Sequence, residues 1–102
     1  MAYTPKWIND ETSAFLRAVL LLETEEEAAR FFDDVCTVKE IQALSQRLRV
    51  AELLAERKTY VDIEAETKAS TATISRVNRA LSYGADGYQL IFDRRAAASD
   101  GD

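Results

Sequence analysis

The sequence predicts an all-α fold, and three observations carry that expectation. From Tyr60 to Gly84 the apolar residues fall where two short helices joined by a tight turn would bury them. Thr24 and Thr37 each stand three residues before a glutamate, Glu27 and Glu40, which is the spacing of a capping box that opens a helix. The run VKEIQALSQRLRVAELLAER then continues without glycine or proline before Thr59. A chain of 102 residues with 47% apolar content is one domain's worth of sequence with a single core.

Taken in order, the first helix runs from Asn9 or Asp10 to Leu22. Phe15, Leu16, Ala18, Val19, Leu20, Leu21 and Leu22 cover most of its circumference, so it is expected to be buried all round. The second opens at Thr24, carries the stripe Ala28, Phe31, Phe32 and Val35, and ends near Cys36. Glu25, Glu26 and Glu27 occupy its first turn, where they favour the helix dipole, a structural role rather than a catalytic one. The third opens at Thr37. Its apolar positions, Ile41, Leu44, Leu48, Val50, Ala51, Leu53 and Leu54, spread wider than one stripe and predict packing against two elements. A fully apolar first helix beside a two-faced third exceeds what one protomer can cover, which predicts a homodimer.

Lys58 and Thr59 lead into the helix-turn-helix, about residues 60–82. Ile63 and Thr67 lie on its first helix, Ala69 in the turn, and Ile74, Val77 and Leu81 on its second. Gly84 is expected as the left-handed residue that closes that helix. Asp86 to Arg94 has room for one more short helix, and the tail AAASDGD looks frayed. Residues 1–95 therefore read as a single domain and 96–102 as a disordered tail, with no repeat, low-complexity block or dividing linker.

Composition narrows the function. No apolar run approaches the roughly 18 residues that span a bilayer. The start, MAYTPKWINDE, has neither the basic residues nor the apolar stretch of a signal peptide, so a cytoplasmic protein without a membrane partner is expected. Cys36 is the one cysteine and there is no histidine, so no internal disulfide, zinc site or histidine base is expected, and no catalytic residue or cofactor. The enzyme classes rank far below a binding function.

A net charge of −5 argues at first against nucleic acid, but the charge is unevenly distributed. Residues 1–56 carry six basic and eleven acidic side chains, residues 57–82 five basic and three acidic, and residues 83–102 two basic and four acidic. The segment with a positive balance is the helix-turn-helix. Its second helix leaves Thr71, Ala72, Thr73, Ser75, Arg76 and Arg79 on faces away from the core, a set that suits the DNA major groove. The hydroxyls can meet base edges directly or through water, and the Ala72 methyl can pack on a thymine methyl. Arg76 and Arg79 reach guanine or phosphate, and Lys58 and Lys68 suit phosphates. The same residues also fit a helical hairpin whose hydroxyls face water, although propensity would then favour Ala, Glu and Lys. A protein-interaction module on a helix-turn-helix scaffold, using the acidic, aromatic-bearing N-terminal half, is the alternative function.

The segment from Thr37 to Leu81, with TVKEIQAL, QRLRVAELL and then ASTATISR, resembles the Trp repressor superfamily. The whole chain, from about Trp7 to Arg94, looks like its Trp-repressor-related YerC/YecD family. The resemblance implies about six helices in an intertwined homodimer that presents two reading heads on one side. Two such heads would meet half-sites one helical turn apart, roughly 34 Å, in a palindromic operator of double-stranded DNA, and would repress by occlusion. In the tryptophan-sensing member the ligand lies between the long central helix and the reading helix. Its key positions match Thr37, Arg47 and Arg76 here, and an arginine fork binds a carboxylate bidentately. The glycine that gives the indole room is Val77 here, and the serine that helps hold the amino group is Ala80. A β-branched side chain in that slot and a missing hydroxyl imply that this chain does not sense tryptophan. The family's glycine-rich turn is Lys-Ala-Ser here, which leaves two alternatives open: a turn of different shape, or a left-handed Lys68 that costs about 1–2 kcal/mol and places its ammonium near a DNA phosphate.

Overall fold

The computed structural model describes residues 2–100, and among them there are six helices and no strand. They are α1 (Asp10–Val19), α2 (Glu25–Val35), α3 (Val38–Ala55), α4 (Tyr60–Thr67), α5 (Thr71–Tyr83) and α6 (Gly87–Asp100). The chain divides into two compact units, one up to Val38 and one from Lys39 onward.

In the first unit, α1 is capped by Asn9, whose side chain accepts from the Thr12 N–H at 2.8 Å while Thr12 Oγ1 accepts from the Asn9 N–H at 2.9 Å. The helix stops at Val19, short of the expected Leu22. Leu21 and Leu22 instead donate to carbonyls three residues back, a tighter winding that ends the α-helix. The expected all-round burial is not met within one chain. None of the residues of α1 is buried, and Leu20 and Leu21 are 81% and 78% exposed. The physical reason is that the first unit offers α1 a partner on one side alone, where Phe15 stacks on Phe31 at 5.9 Å between ring centroids. Thr24 caps α2 as its spacing predicts, accepting from the Glu27 N–H at 3.1 Å. The Glu27 carboxylate reaches one residue further back than a capping box requires and accepts from the Glu23 N–H at 2.9 Å.

The second unit holds the core. Val50, Ala51 and Leu53 from α3, Ile63 from α4, Ala69 from the turn, and Ile74 and Val77 from α5 are all buried, with Leu54, Leu81, Tyr88 and Phe92 packed against them. The periodicity of the helix-turn-helix therefore places its inward side chains correctly. Full burial of each large aliphatic chain contributes about 1.5–3 kcal/mol. α3 ends in a Schellman closure with Arg57 left-handed at φ 64°: the Arg57 N–H donates to Leu54 O at 2.9 Å and the Lys58 N–H to Leu53 O at 3.0 Å. That reversal turns the chain into Thr59, whose hydroxyl caps α4 by accepting from the Asp62 N–H at 3.1 Å.

Two boundaries differ from expectation near the C-terminus. Gly84 is not left-handed; its φ is −86°, and Asp86 takes the positive value, 62°. Glycine is required at 84 by space instead, since a Cβ there would stand 2.3 Å from Ala80 O. α6 continues to Asp100, past the expected end at Arg94 and into the segment 96–102 read as a disordered tail. Ala96, Ala97 and Ala98 are the best helix formers available, and the signal-poor look of that stretch hid their propensity. Residues 101 and 102 lie outside the described part. No described helix is long and apolar enough to cross a membrane.

Candidate nucleic-acid interface

The candidate interface is the outward face of α5. Ser70 caps the helix: its hydroxyl accepts from the Thr73 N–H at 3.1 Å and donates to Thr73 Oγ1 at 3.1 Å. Ile74 and Val77 face the core and leave Thr71, Ala72, Ser75, Arg76 and Arg79 exposed. Ala72, Ser75, Arg76 and Arg79 line one open depression of about 260 Å³, which brings two guanidinium groups beside a hydroxyl and a methyl. Thr73 stands apart from that group, half-buried and committed to Ser70. Asn78, absent from the expected readers, is exposed three residues after Ser75 on the same helix. Its spacing hid it, because a residue four positions after the buried Ile74 reads as inward-facing.

The turn that sets α5 against α4 is built without glycine. Lys68 is left-handed at φ 61° and ψ 15°, the second of the two alternatives that the missing glycine leaves, and its N–H donates to Glu64 O at 2.8 Å. Thr67 Oγ1 donates to Ile63 O at 2.7 Å and accepts from the Ala69 N–H at 3.1 Å. Ala69 is buried, pinning the turn to the core, whereas the Lys68 and Lys58 side chains are exposed. Among the described residues no salt bridge engages Lys58, Lys68, Arg76 or Arg79, so their charge faces solvent.

α3 supports this head with polar side chains that the sequence did not single out for that role. Gln46 Nε2 donates to Thr67 O at 3.1 Å, and Arg49 donates to Glu66 at 2.7 Å and to Glu52 at 3.3 Å. Glu52 also accepts from Arg95 of α6. The Arg95 bond, helped by Arg49, holds the Glu52 carboxyl below the usual carboxylate range against the opposing effect of desolvation. The bond to Glu66, followed by that to Glu52, raises the Arg49 guanidinium above its ordinary value.

The residues expected to line an effector pocket fall into different environments. Val77 is 2% exposed and belongs to the core. Ala80 lines an apolar depression of about 450 Å³ with Leu48, Ala85, Gly87, Tyr88 and Ile91. Arg76 lines the outward depression on α5, Arg47 is half-buried on α3, and Thr37 lies in the first unit.

Comparison with known proteins gives a consistent result. The family profile described as Trp repressor protein matches residues 10–96. The uncharacterised protein YerC of Bacillus subtilis (strain 168) is 55% identical over 84 residues, which is 82% of this chain and 81% of YerC. Two crystal structures superpose closely. A candidate Trp repressor from Staphylococcus aureus is 50% identical with a TM-score of 0.85 over 89% of this chain and 91% of that one. A TrpR-like protein from Eubacterium eligens is also 50% identical, with a TM-score of 0.86 over 89% of this chain and 94% of that one.

Proposed function

The chain belongs to the Trp repressor family, and from that premise we propose that it is a sequence-specific DNA-binding regulator that acts as a homodimer and represses by occluding its operator. Members of the family are regulatory DNA-binding proteins, not enzymes. The observation that carries the reading is the outward face of α5, where Ala72, Ser75, Arg76 and Arg79 share one open depression while Ile74 and Val77 anchor the opposite face. A helix so anchored offers a row of short polar groups and two charge-assisted donors to a groove about 12 Å wide. Thr71, Ala72 and Ser75 touch base edges, Arg76 and Arg79 reach guanine or phosphate, and Lys58 and Lys68 hold phosphates and set register. The largely exposed pair Leu20 and Leu21, just past the end of α1, supports a second copy as the cover there, since water is a poor partner for two adjacent leucines. The cytoplasm, where the DNA is, follows as its place of action.

Tryptophan is not the effector in this reading. Val77 fills its site in the core, and Ala80 has no hydroxyl for an ammonium group. Calorimetry with free tryptophan is expected to give no saturable heat at micromolar concentration.

The deciding experiment selects the purified full chain against a random duplex library at physiological salt, with the bound fraction sequenced. A palindrome with half-sites about one helical turn apart is the expected product. Arg76→Ala and Lys68→Ala should then weaken binding across sequences and flatten the salt dependence, with a slope reduced by about 0.9 per lost phosphate contact. Ser75→Ala should shift the preferred sequence instead. Failure to enrich any sequence, with binding to a protein partner, would replace this reading with that of an interaction module.

A further inference from the structure

We infer that Gln46 and Arg49 are positioning residues of the reading head: from α3 they clamp the C-terminal end of α4 and so set the angle at which α5 is presented. This rests on α5 being the DNA-reading helix. Apolar packing leaves part of this head undetermined. α4 has eight residues and Ile63 is its one buried side chain, so apolar contact alone fixes a point on that helix rather than its direction. Its end must also absorb a left-handed lysine in place of a glycine. A second attachment is needed at that end, and α3 supplies it.

Gln46 and Arg49 stand three residues apart, one above the other on α3. The Gln46 amide donates to the carbonyl of Thr67, the last residue of α4, where helix geometry leaves carbonyls without an intrahelical partner. Arg49 bonds the carboxylate of Glu66, the preceding residue, and Glu52 steadies the guanidinium from one turn further along α3. Glu52 is in turn held by Arg95, which extends the brace to α6. These contacts occupy the walls of an open cleft of about 700 Å³ between α3 and the end of α4. Gln46, Arg49, Glu66 and Thr67 are committed to one another there, so the cleft is braced by the protein's own side chains. The head is thereby held in place without a bound small molecule, and DNA binding by the purified chain requires none.

The test uses the full chain with Gln46→Met and Arg49→Met together, changes that keep an unbranched apolar stem and helix propensity but remove both clamps. Two readouts are taken at low temperature on protein with full helical dichroism: amide exchange of Lys68, Ala69 and Ile74, and affinity for the selected duplex. Loss of two partly exposed polar bonds is expected to speed exchange about tenfold and to weaken the duplex Kd about tenfold. Arg49→Lys alone, which keeps the charge but not the fork, should fall between. If the double variant does not fold, Gln46→Met alone repeats the test at about threefold. A lowered melting temperature with an unchanged Kd for the folded protein would show a merely structural role and overturn the inference. Unchanged exchange with weakened binding would overturn it too, because the two side chains would then be touching DNA directly. Faster exchange with no duplex bound by wild type or variant upholds the clamp and overturns instead the reading of α5.

Discussion

Gly84→Ala and Gly87→Ala are the same substitution five or fewer residues from the same helix end, and the structure assigns them opposite signs. At Gly84 a Cβ would lie 2.3 Å from Ala80 O, 3.0 Å from Ala80 C and 3.1 Å from Ala80 Cα, all backbone atoms of the helix it has just left. None of those atoms can swing aside as a side chain would. Either the last turn of α5 opens, breaking the 2.9 Å bond from the Gly84 N–H to Ala80 O, or the connection to α6 moves. Overpacking of this kind costs about 1–3 kcal/mol. At about 4–8 °C per kcal/mol for a domain of this size, a loss near the middle of that range lowers the melting temperature by about 10 °C. At Gly87, the first residue of α6, a Cβ would meet nothing within 4 Å and φ is not positive. Alanine there restricts the unfolded chain without a clash and should raise stability by about 0.5–1 kcal/mol.

Thermal melts of wild type and both variants at one protein concentration test this, the concentration being held because a dimer's melting temperature depends on it. Gly84→Asn makes the test sharper. Asparagine tolerates the left-handed region, so it would rescue a site that needs glycine for its φ. It has the same Cβ as alanine, so it cannot rescue one that needs glycine for space. Rescue by asparagine, or a Gly84→Ala melt within about 2 °C of wild type where about 10 °C is expected, would refute the close-approach argument.

Three further outcomes are expected. Ile74→Ala, at a fully buried core position beneath the reading face, should cost about 2–5 kcal/mol, measured as a fall in urea midpoint with unchanged slope. Glu52→Gln should lower stability at pH 7 by about 1 kcal/mol or less, because Glu52 is partly exposed and its pairs are screened. The Arg95 and Arg49 bonds put the folded carboxyl below its unfolded value, so its contribution is complete above that unfolded value and disappears as pH falls through the folded one; urea midpoints of the two proteins should therefore differ at pH 7 and converge in acid. Lys68→Gly should relieve the left-handed strain and raise the melting temperature, by about 1 kcal/mol of stability, while weakening duplex binding through the lost ammonium; a lowered melting temperature would mean that the lysine is not strained.

The parts of the fold that were legible in the sequence are those in which local chemistry and the core agree. Ile63, Ala69, Ile74 and Val77 are spaced for burial in two short helices and are buried there, and Thr24 caps the helix it precedes. At Lys68 the missing glycine leaves two outcomes open along the chain, a differently shaped turn or a left-handed lysine, and the fold takes the second. Gly84 was misread for a related reason. A glycine after a helix has two common uses, a left-handed closure and a close approach, and nothing along the chain separates them. Only the path into α6 decides, and here it takes the positive φ at Asp86. The end of α6 was missed because three alanines carry no amphipathic pattern, although their propensity extends a helix already begun. The clamp from α3 was illegible for a third reason. Gln46 and Arg49 are ordinary residues on a helix face, and their partners, Glu66 and Thr67, lie 17 and 21 residues away in sequence.

The charge of the chain bears on how such a head would discriminate among DNA sites. Salt at physiological strength screens exposed charges beyond about 8 Å, so a phosphate at the face of α5 responds to the local basic set and little to the overall −5. Away from contact the acidic remainder offers nothing to the DNA. Lys58, Lys68, Arg76 and Arg79 make a small set of cations, so sequence-independent affinity stays low and falls with salt in proportion to the few counterions released. Thr71, Ala72 and Ser75 are individually weak discriminators. A low electrostatic background raises the share of the total that depends on sequence, which lets weak base contacts decide occupancy. That balance also makes head orientation important: with few contacts, none can be lost to a misplaced helix, and the polar brace from α3 to the end of α4 keeps them all in register.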